Sequence, residues 1–414
     1  MNTRLRALHL SPIMPARSGN GLAMRQGMFL EALSREFETQ LVVLPVAGPR
    51  DAPADLPDEL GVKTTVVPVA GRQDTHFTLL ARLADPGARL AAFRAYGRSS
   101  LAAHLGVSVL NDLAHALGGA RYDLVHVGRS YLADALPAVD AVRVSMDLDE
   151  DEWTSCREVA ATLDGTDPVA ADWLRAEADA LSALIGRSAS RVDRHFISSA
   201  RDAEWSAARH SGVTPETIEN AVALPGFAGR RDDGGTLLFV GSFGYAPNAD
   251  AARWLVHDIL PAVRAQAGRP VRLLLVGRDS ALVGELGSHP GVELAGEVSD
   301  LAAAYGMATV FAAPLRAGAG TRLKLLEAAA HRVPIVSTTL GARGLAFGNS
   351  REILIAEDTD GFVRAILAVL ENSEASAARA EAAHAVVASR YDRAAVIDRL
   401  ACRLRDIAAK PPRD

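Results

Sequence analysis

Residues 314–344 read PLRAGAGTRLKLLEAAAHRVPIVSTTLGARG, and the order of pieces in this stretch decides the fold. Ala308 to Ala313, ATVFAA, is apolar enough to end a buried strand. Gly318-Ala319-Gly320-Thr321 then predicts a loop with free backbone N–H groups, and Thr321 to Ala330 predicts a helix carrying Lys324 and Glu327. Val333 to Thr338 reads as a second short strand, followed by another glycine-bearing loop. A Gly-rich loop that opens a helix at a strand end suits an anion, because unpaired N–H groups and the positive helix end face it together. A lysine so near a helix start opposes the dipole, so Lys324 makes more sense with an anion beside it. Glu327, three residues on, shares its face. Cradle, cation and carboxylate within one turn suit a nucleoside diphosphate with its ribose.

The chain around this stretch has 414 residues, which favours two domains over one core. With 49% hydrophobic and 23% charged residues, it has the composition of a soluble globular protein. A net charge of −6 gives no reason to expect nucleic acid as a partner. Cys156 and Cys402 have neither metal nor redox spacing and suggest a reducing compartment. The first residues, MNTRLRALHLSPIMP, lack a signal-peptide core, and no run is long enough to span a bilayer, so a cytoplasmic location is expected. Lysine occurs only at 63, 324 and 410, which makes Lys324 less casual.

Ahead of it, Leu5 to Leu10 predicts a strand, SPIMPARSGNG a loop, Leu22 to Phe37 a helix and Leu41 to Val46 a strand, the start of an open parallel sheet. No GxGxxG follows the first strand, and Gly19 and Gly21 read either as a plain turn or as backbone close to a ligand. Residues 72–98 carry Arg72, Arg82, Arg89, Arg94 and Arg98 among leucines. A solvated arginine face is the plainer reading, and peripheral contact with an anionic membrane, at its inner face, or with an anionic acceptor the sharper one. Tyr122 to Val127 predicts a strand with His126 near its carboxyl end, where ligands sit in open sheets. A buried structural histidine is an equal reading. Val142 to Met146 is a strand that runs into Asp147-Leu148-Asp149-Glu150-Asp151. That DxD spacing can hold a divalent cation, but it recurs by chance, and one carboxylate facing a sugar is favoured; no metal is expected. Residues 157–190 read as helix, and Gly226 to Gly235 as a linker. A second α/β unit follows, with strands at Thr236 to Val240 and Val271 to Val276, and loops at Gly241-Ser242 through Asn248, at Gly277, and at Gly296-Glu297-Val298. Ser299-Asp300 read as the cap of the next helix. Helices then run to the end, and the natural ligand site is the cleft between the two units.

These pieces, in this order, resemble GT-B glycosyltransferases, specifically the retaining family 4, or group 1. The resemblance rests on SPIMPARSGNG, YDLVHV, RHFISS, ENAVALP, LLFVGSFGYAPNADAARWLVHDILPAV, LLLVG, GVELAGEV and VFAAPLRAGAGTRLKLLEAAAHRVPIVSTTLGARGL, with the helix after SRYD. It implies an α/β fold of two Rossmann-like domains, 1–222 and 223–384, with the last helix, about 385–414, crossing back to the first. It implies an NDP-sugar donor, UDP- or GDP-linked in the first place, as co-substrate without a cofactor. The acceptor is a hydroxyl on a glycan, a lipid-linked saccharide or a small molecule. Residue by residue, Glu327 matches the carboxylate on the ribose, and Gly318, Ala319, Gly320 and Thr321 the loop over the diphosphate. Gly19, Asn20 and Gly21 match the N-terminal glycine loop, Gly296, Glu297 and Val298 the segment near the base, and Gly241-Ser242 the first donor-domain loop. Asn248, Gly277 and Leu325 complete the donor side.

Two departures stand out. Ala319 occupies the place where many relatives carry a second glutamate, eight positions before Glu327. The loop after the first donor-domain strand has no basic residue, so Lys324 and Arg316 or Arg322 are expected to supply the charge. His126, Asp147 and Lys324 are the catalytic candidates. A GT-B epimerase or phosphorylase, or a non-catalytic nucleotide-sugar-binding partner subunit, are the competing readings.

Overall fold

The computed structural model describes residues 4–49, 51–226, 234–298, 301–318 and 322–411. The chain divides into two compact units, Met1–Glu219 with Ala394–Asp414, and Asn220–Arg393.

In the first unit the described strands are β1 (Arg6–Ser11), β2 (Glu38–Val43), β3 (Lys63–Val66), β4 (Arg121–Val127), β5 (Asp140–Asp149), β6 (Arg194–Ile197) and β7 (Glu216–Thr217). They form one sheet in the order β3-β2-β1-β4-β5-β6-β7, every pair parallel. The strand order reverses between β1 and β4, which opens a crevice at their carboxyl ends. Helix Gly21–Glu36 buries Met28, Phe29, Leu30 and Leu33, and Asn20 caps its first turn by accepting from the N–H groups of Leu22 and Ala23.

Residues 157–190 are not one helix. Glu152–Leu163 ends, and Pro168–Ser188 starts afresh with Asp167 capping Ala170 N–H. Proline at the first helical position and the acidic cap are the physical cause. The Arg-rich region is likewise in pieces, Thr75–Leu80 and Pro86–Tyr96, held to helix Pro168–Ser188 by a small aromatic cluster. Phe93 stacks on Trp173 at 4.2 Å. The last helix, Arg393–Ala408, belongs to this unit from Ala394 onward and buries Val396, Ile397, Leu400 and Leu404. Its rim pairs, such as Arg403–Glu216 at 2.7 Å, are exposed and add little beside that apolar face.

The second unit holds β8 (Thr236–Val240), β9 (Arg272–Val276), β10 (Val292–Gly296), β11 (Val310–Ala313), β12 (Ile335–Ser337) and β13 (Leu354–Ile355) among its described residues. Their order is β10-β9-β8-β11-β12-β13, again all parallel. Alternate residues feed two cores, Leu237, Phe239, Leu273 and Leu275 on one face and Leu238, Val240, Leu274 and Val276 on the other. A sheet buried on both faces explains why these strands read as unbroken apolar runs. Between β8 and β9 the chain forms helix Ala246–Trp254, a π-turn at Leu255–Ile259, and helix Leu260–Gln266. Pro261, which has no N–H to donate, follows the irregular turn.

Candidate functional site

In the second unit the strand order reverses between β8 and β11, and the chain after each of these strands carries part of one polar constellation. After β8, Gly241 and Ser242 lead to Asn248 in helix Ala246–Trp254. After β11, the chain passes Gly318 and enters helix Leu323–Ala330, with Lys324 in its first turn. Lys324 Nζ donates to Asn248 Oδ1 at 2.6 Å, and Asn248 Nδ2 donates to the Ser242 carbonyl at 2.8 Å. The ammonium lies 4.8 Å from the Phe239 ring centroid. A Cβ at position 241 would fall 3.0 Å from Lys324 Nζ, so glycine there lets the backbone close over the amine. Gly277, after β9, has φ +152° and packs so tightly on the Gly241 carbonyl that no side chain fits. The two glycine turns and the lysine therefore form one packed unit at the sheet's carboxyl edge.

Lys324 is partly buried, and its pKa is lowered to about 7, first by burial and then by Arg322, with Glu327 opposing. Glu327 does not pair with it by a direct hydrogen bond. Its Oε2 accepts from the Tyr305 hydroxyl at 3.0 Å. Burial raises the Glu327 pKa, while the Tyr305 hydrogen bond and Lys324 lower it. Tyr305 comes from helix Leu301–Met307 and stacks on His331 at 4.9 Å, which orients the hydroxyl. Sequence reasoning missed Tyr305, because nothing in the spacing links it to Glu327.

Gly296 ends β10 with φ +70°, and its carbonyl accepts from Gly277 N–H at 2.7 Å. Glu297 is exposed and Val298 is half-buried beside it. Leu325 is fully buried in the core, with no polar group to offer a ligand. Gly318 has φ +98°, and a Cβ there would fall 2.6 Å from the Tyr245 hydroxyl and 3.0 Å from an Arg322 nitrogen. Ala319, Gly320 and Thr321 lie outside the described residues, as do Ser299 and Asp300. Arg316, one of the expected charges, forks onto Asp250 at 2.6 and 3.0 Å and lies over Trp254. Its charge is thereby matched within the protein. Arg322 is the N-cap residue of the Lys324 helix and stands nearer the constellation.

In the first unit, Gly19, Asn20 and Gly21 form the entry to helix Gly21–Glu36, where Asn20 acts as its cap. His126 is fully buried in a row with His9 and Ser145, which pair in register across β1, β4 and β5. Its Nδ1 is 3.0 Å from Ser145 Oγ, and the ring stacks on Phe29 at 4.0 Å. Burial, then His9 and Arg25, hold its pKa well below the ordinary value, so the ring is neutral. Asp147 takes a fork from Arg25 at 2.7 Å through both oxygens, and both side chains are 0% exposed. Burial opposes the charge on Arg25, and Asp147 and then Asp149 overcome it, holding the guanidinium above its ordinary range. Asp149 has φ +63° and binds Arg129 at 2.8 Å; Arg129 also binds Glu152 at 2.6 Å. The two acids of the DxD thus face two arginines. Arg25 and Arg129 could not be paired with these acids from spacing alone.

Residues 234–372 match the family model described as Glycosyl transferases group 1, a stretch running from the start of β8 through helix Thr359–Glu371. Solved structures match along almost the whole chain. A sucrose-phosphate synthase from Thermosynechococcus elongatus aligns with a TM-score of 0.66 at 16% identity, covering 98% of this chain and 100% of that one. Anabaena Alr3699/HepE, solved in complex with UDP-glucose, aligns with a TM-score of 0.63 at 13% identity over 97% of this chain and 100% of that one. The fold is GT-B. At these identities the GT-B likeness speaks for architecture alone. In sequence, the chain is 29% identical over 175 residues to a phosphatidyl-myo-inositol mannosyltransferase of Mycolicibacterium smegmatis. That match covers 40% of this chain and 42% of the relative, so the chain spans about two fifths of the relative's length. Among the described residues, no helix is long and apolar enough to cross a membrane.

Proposed function

We propose that this GT-B protein transfers a sugar from an NDP-sugar, UDP- or GDP-linked in the first place, to an acceptor hydroxyl with retention of configuration. The observation that carries the reading is the Lys324 amine at the strand-order reversal of the second unit. Among the described residues its hydrogen-bond acceptor is a neutral amide, Asn248, and the nearby carboxylate of Glu327 is turned to Tyr305. A cation so placed suits the diphosphate, and Glu327, with Oε2 held by Tyr305, suits the ribose hydroxyls. The match of residues 234–372 to a glycosyltransferase family model supports the same reading.

In the proposed reaction the bond from the anomeric carbon to the diphosphate breaks, and a bond from that carbon to the acceptor oxygen forms on the same face. The acceptor's proton passes to an oxygen of the departing diphosphate, so no protein base is required. Lys324 and the N–H groups of its helix start stabilise the charge that develops on the leaving group. The protein supplies no metal in this scheme. Thermal unfolding with UDP, GDP, ADP and TDP, each with and without EDTA, tests the binding half. One nucleotide should raise Tm, as a ligand of the folded state must, and EDTA should leave the rise intact. No rise with any of the four would remove the donor-site reading.

The Arg-rich segment 72–98 is the proposed point of contact with an anionic lipid surface. Arg72 pairs with Asp112 at 2.7 Å, and Arg98 with Asp74 and Asp134. Arg82 and Arg94 are exposed, as are Leu79 and Leu83 at 50% and 37%. Exposed basic and apolar side chains close together in sequence complement anionic headgroups and acyl chains. The chain should sediment with phosphatidylglycerol vesicles and not with phosphatidylcholine, and the double variant Leu79→Ser, Arg82→Glu should stay in solution. Equal partition onto both lipids would contradict the charge-based contact.

A further inference from the structure

We infer that the amine of Lys324 takes up a proton when the donor's diphosphate binds, so that nucleotide affinity is linked to pH through this one residue. The inference rests on the donor-site reading above and adds to it how the cation acquires its charge.

The groups around Lys324 leave a charge on it poorly compensated. On its own helix stand Arg322, which repels an ammonium, and Glu327, which attracts it. From helix Leu301–Met307, Tyr305 claims Glu327 Oε2. From helix Ala246–Trp254 comes neutral Asn248, and from β8 the Phe239 ring. One step further out, Arg316 and Asp250 match each other, and Ser242 donates to Asp279 at 2.7 Å. The helix start adds its own positive potential. The described surroundings thus offer a hydrogen bond and an aromatic face but no carboxylate in direct contact.

An arriving diphosphate changes this balance. An opposite charge within a few ångströms favours the charged form of the amine, so its pKa rises on binding. Between the two values the bound state holds the proton and the free state does not. Consistent with this, burial and then Arg322 lower the pKa of Lys324 to about 7. Log affinity should therefore fall by about one unit per pH unit above neutrality, until the bound-state pKa is reached. The device favours a nucleotide carrying its full diphosphate charge over a neutral or singly charged sugar phosphate analogue.

Calorimetry reads this directly. UDP, GDP, ADP and TDP are titrated into the full chain at pH 8, where the terminal phosphate (second pKa about 6) is already ionised. Each titration is repeated in buffers of different ionisation enthalpy, and the slope counts protons. The nucleotide that binds should bring in about one proton with the wild type. With Lys324→Arg, a side chain always charged, it should still bind and bring in none. Binding by wild type without proton uptake overturns this inference and leaves the donor site standing. Uptake that survives in Lys324→Arg places the proton elsewhere and also overturns it. Absence of binding by every nucleotide overturns the donor-site reading itself.

Discussion

Replacing Lys324 with methionine should lower kcat by about 100- to 1,000-fold, the loss seen when one preorganised donor to a developing charge is removed. The same variant should be more stable than the wild type, not less. Lys324 has its pKa depressed to about 7, chiefly by burial, so folding disfavours its ammonium. The unfolded chain then binds more protons than the folded one between about pH 7 and the ordinary lysine value near 10.4. Stability from this group accordingly rises with pH across that window and is lowest below pH 7. Methionine keeps the apolar stem and removes the charge, which should add on the order of 1 kcal/mol, or about 2–4 °C in Tm. The gain should shrink as the pH is raised towards 10. Paired measurements of kcat and Tm check this. A fall in both would show that Lys324 holds the fold, and an unchanged kcat would remove it from the reaction.

The largest effect on folding should come from Asp147→Asn. Its carboxylate takes a two-pronged hydrogen bond from Arg25, both groups being shut off from solvent, and Arg25 also donates to the Ile218 carbonyl at 3.0 Å. Removing the Asp147 charge leaves buried Arg25 with only the longer contact to Asp149, at 3.4 Å, and costs up to about 3–5 kcal/mol. Against a total of about 5–15 kcal/mol for a natural domain, the first unit should unfold at markedly lower urea concentration. The double variant Arg25→Met, Asp147→Leu should recover much of the loss, because no lone charge remains. Denaturant unfolding of the three proteins decides between two roles for Asp147. A normal unfolding midpoint with lost turnover in Asp147→Asn would make it a reacting group. The expected pattern makes it a strut that sets the end of β5, with His126 packed under helix Gly21–Glu36 as a neutral neighbour.

What could be read from sequence was what local chemistry controls. The apolar runs of β8, β9 and β11 are legible because a doubly covered sheet leaves no polar face, and the glycine turns after them because the backbone there has no room for a side chain. The anion-ready helix start was legible from Lys324, since its placement defies the helix dipole. Thr166-Asp167-Pro168 also carried a readable signal, a cap followed by a first-turn proline, and the break in helix 157–190 follows from it. The pairings that decide the state of each candidate were not legible. Tyr305 reaches Glu327 and Arg25 reaches Asp147 through the packing of distant elements, and no spacing rule records that. The acid cluster shows the consequence. As a string it suggests a cation or a sugar, whereas Asp147 and Asp149 meet Arg25 and Arg129 inside the first unit.

Turnover of NDP-sugars by the purified chain decides whether Lys324 serves glycosyl transfer. UDP- and GDP-linked hexoses are incubated with wild type and with Lys324→Met, and release of the nucleotide and the configuration of the transferred or hydrolysed sugar are measured. The wild type should release nucleotide from one donor with retention of the anomeric configuration, and Lys324→Met should lose release with its fold intact. A wild type that binds a nucleotide-sugar but releases no nucleotide, or a product of inverted configuration, would contradict that expectation.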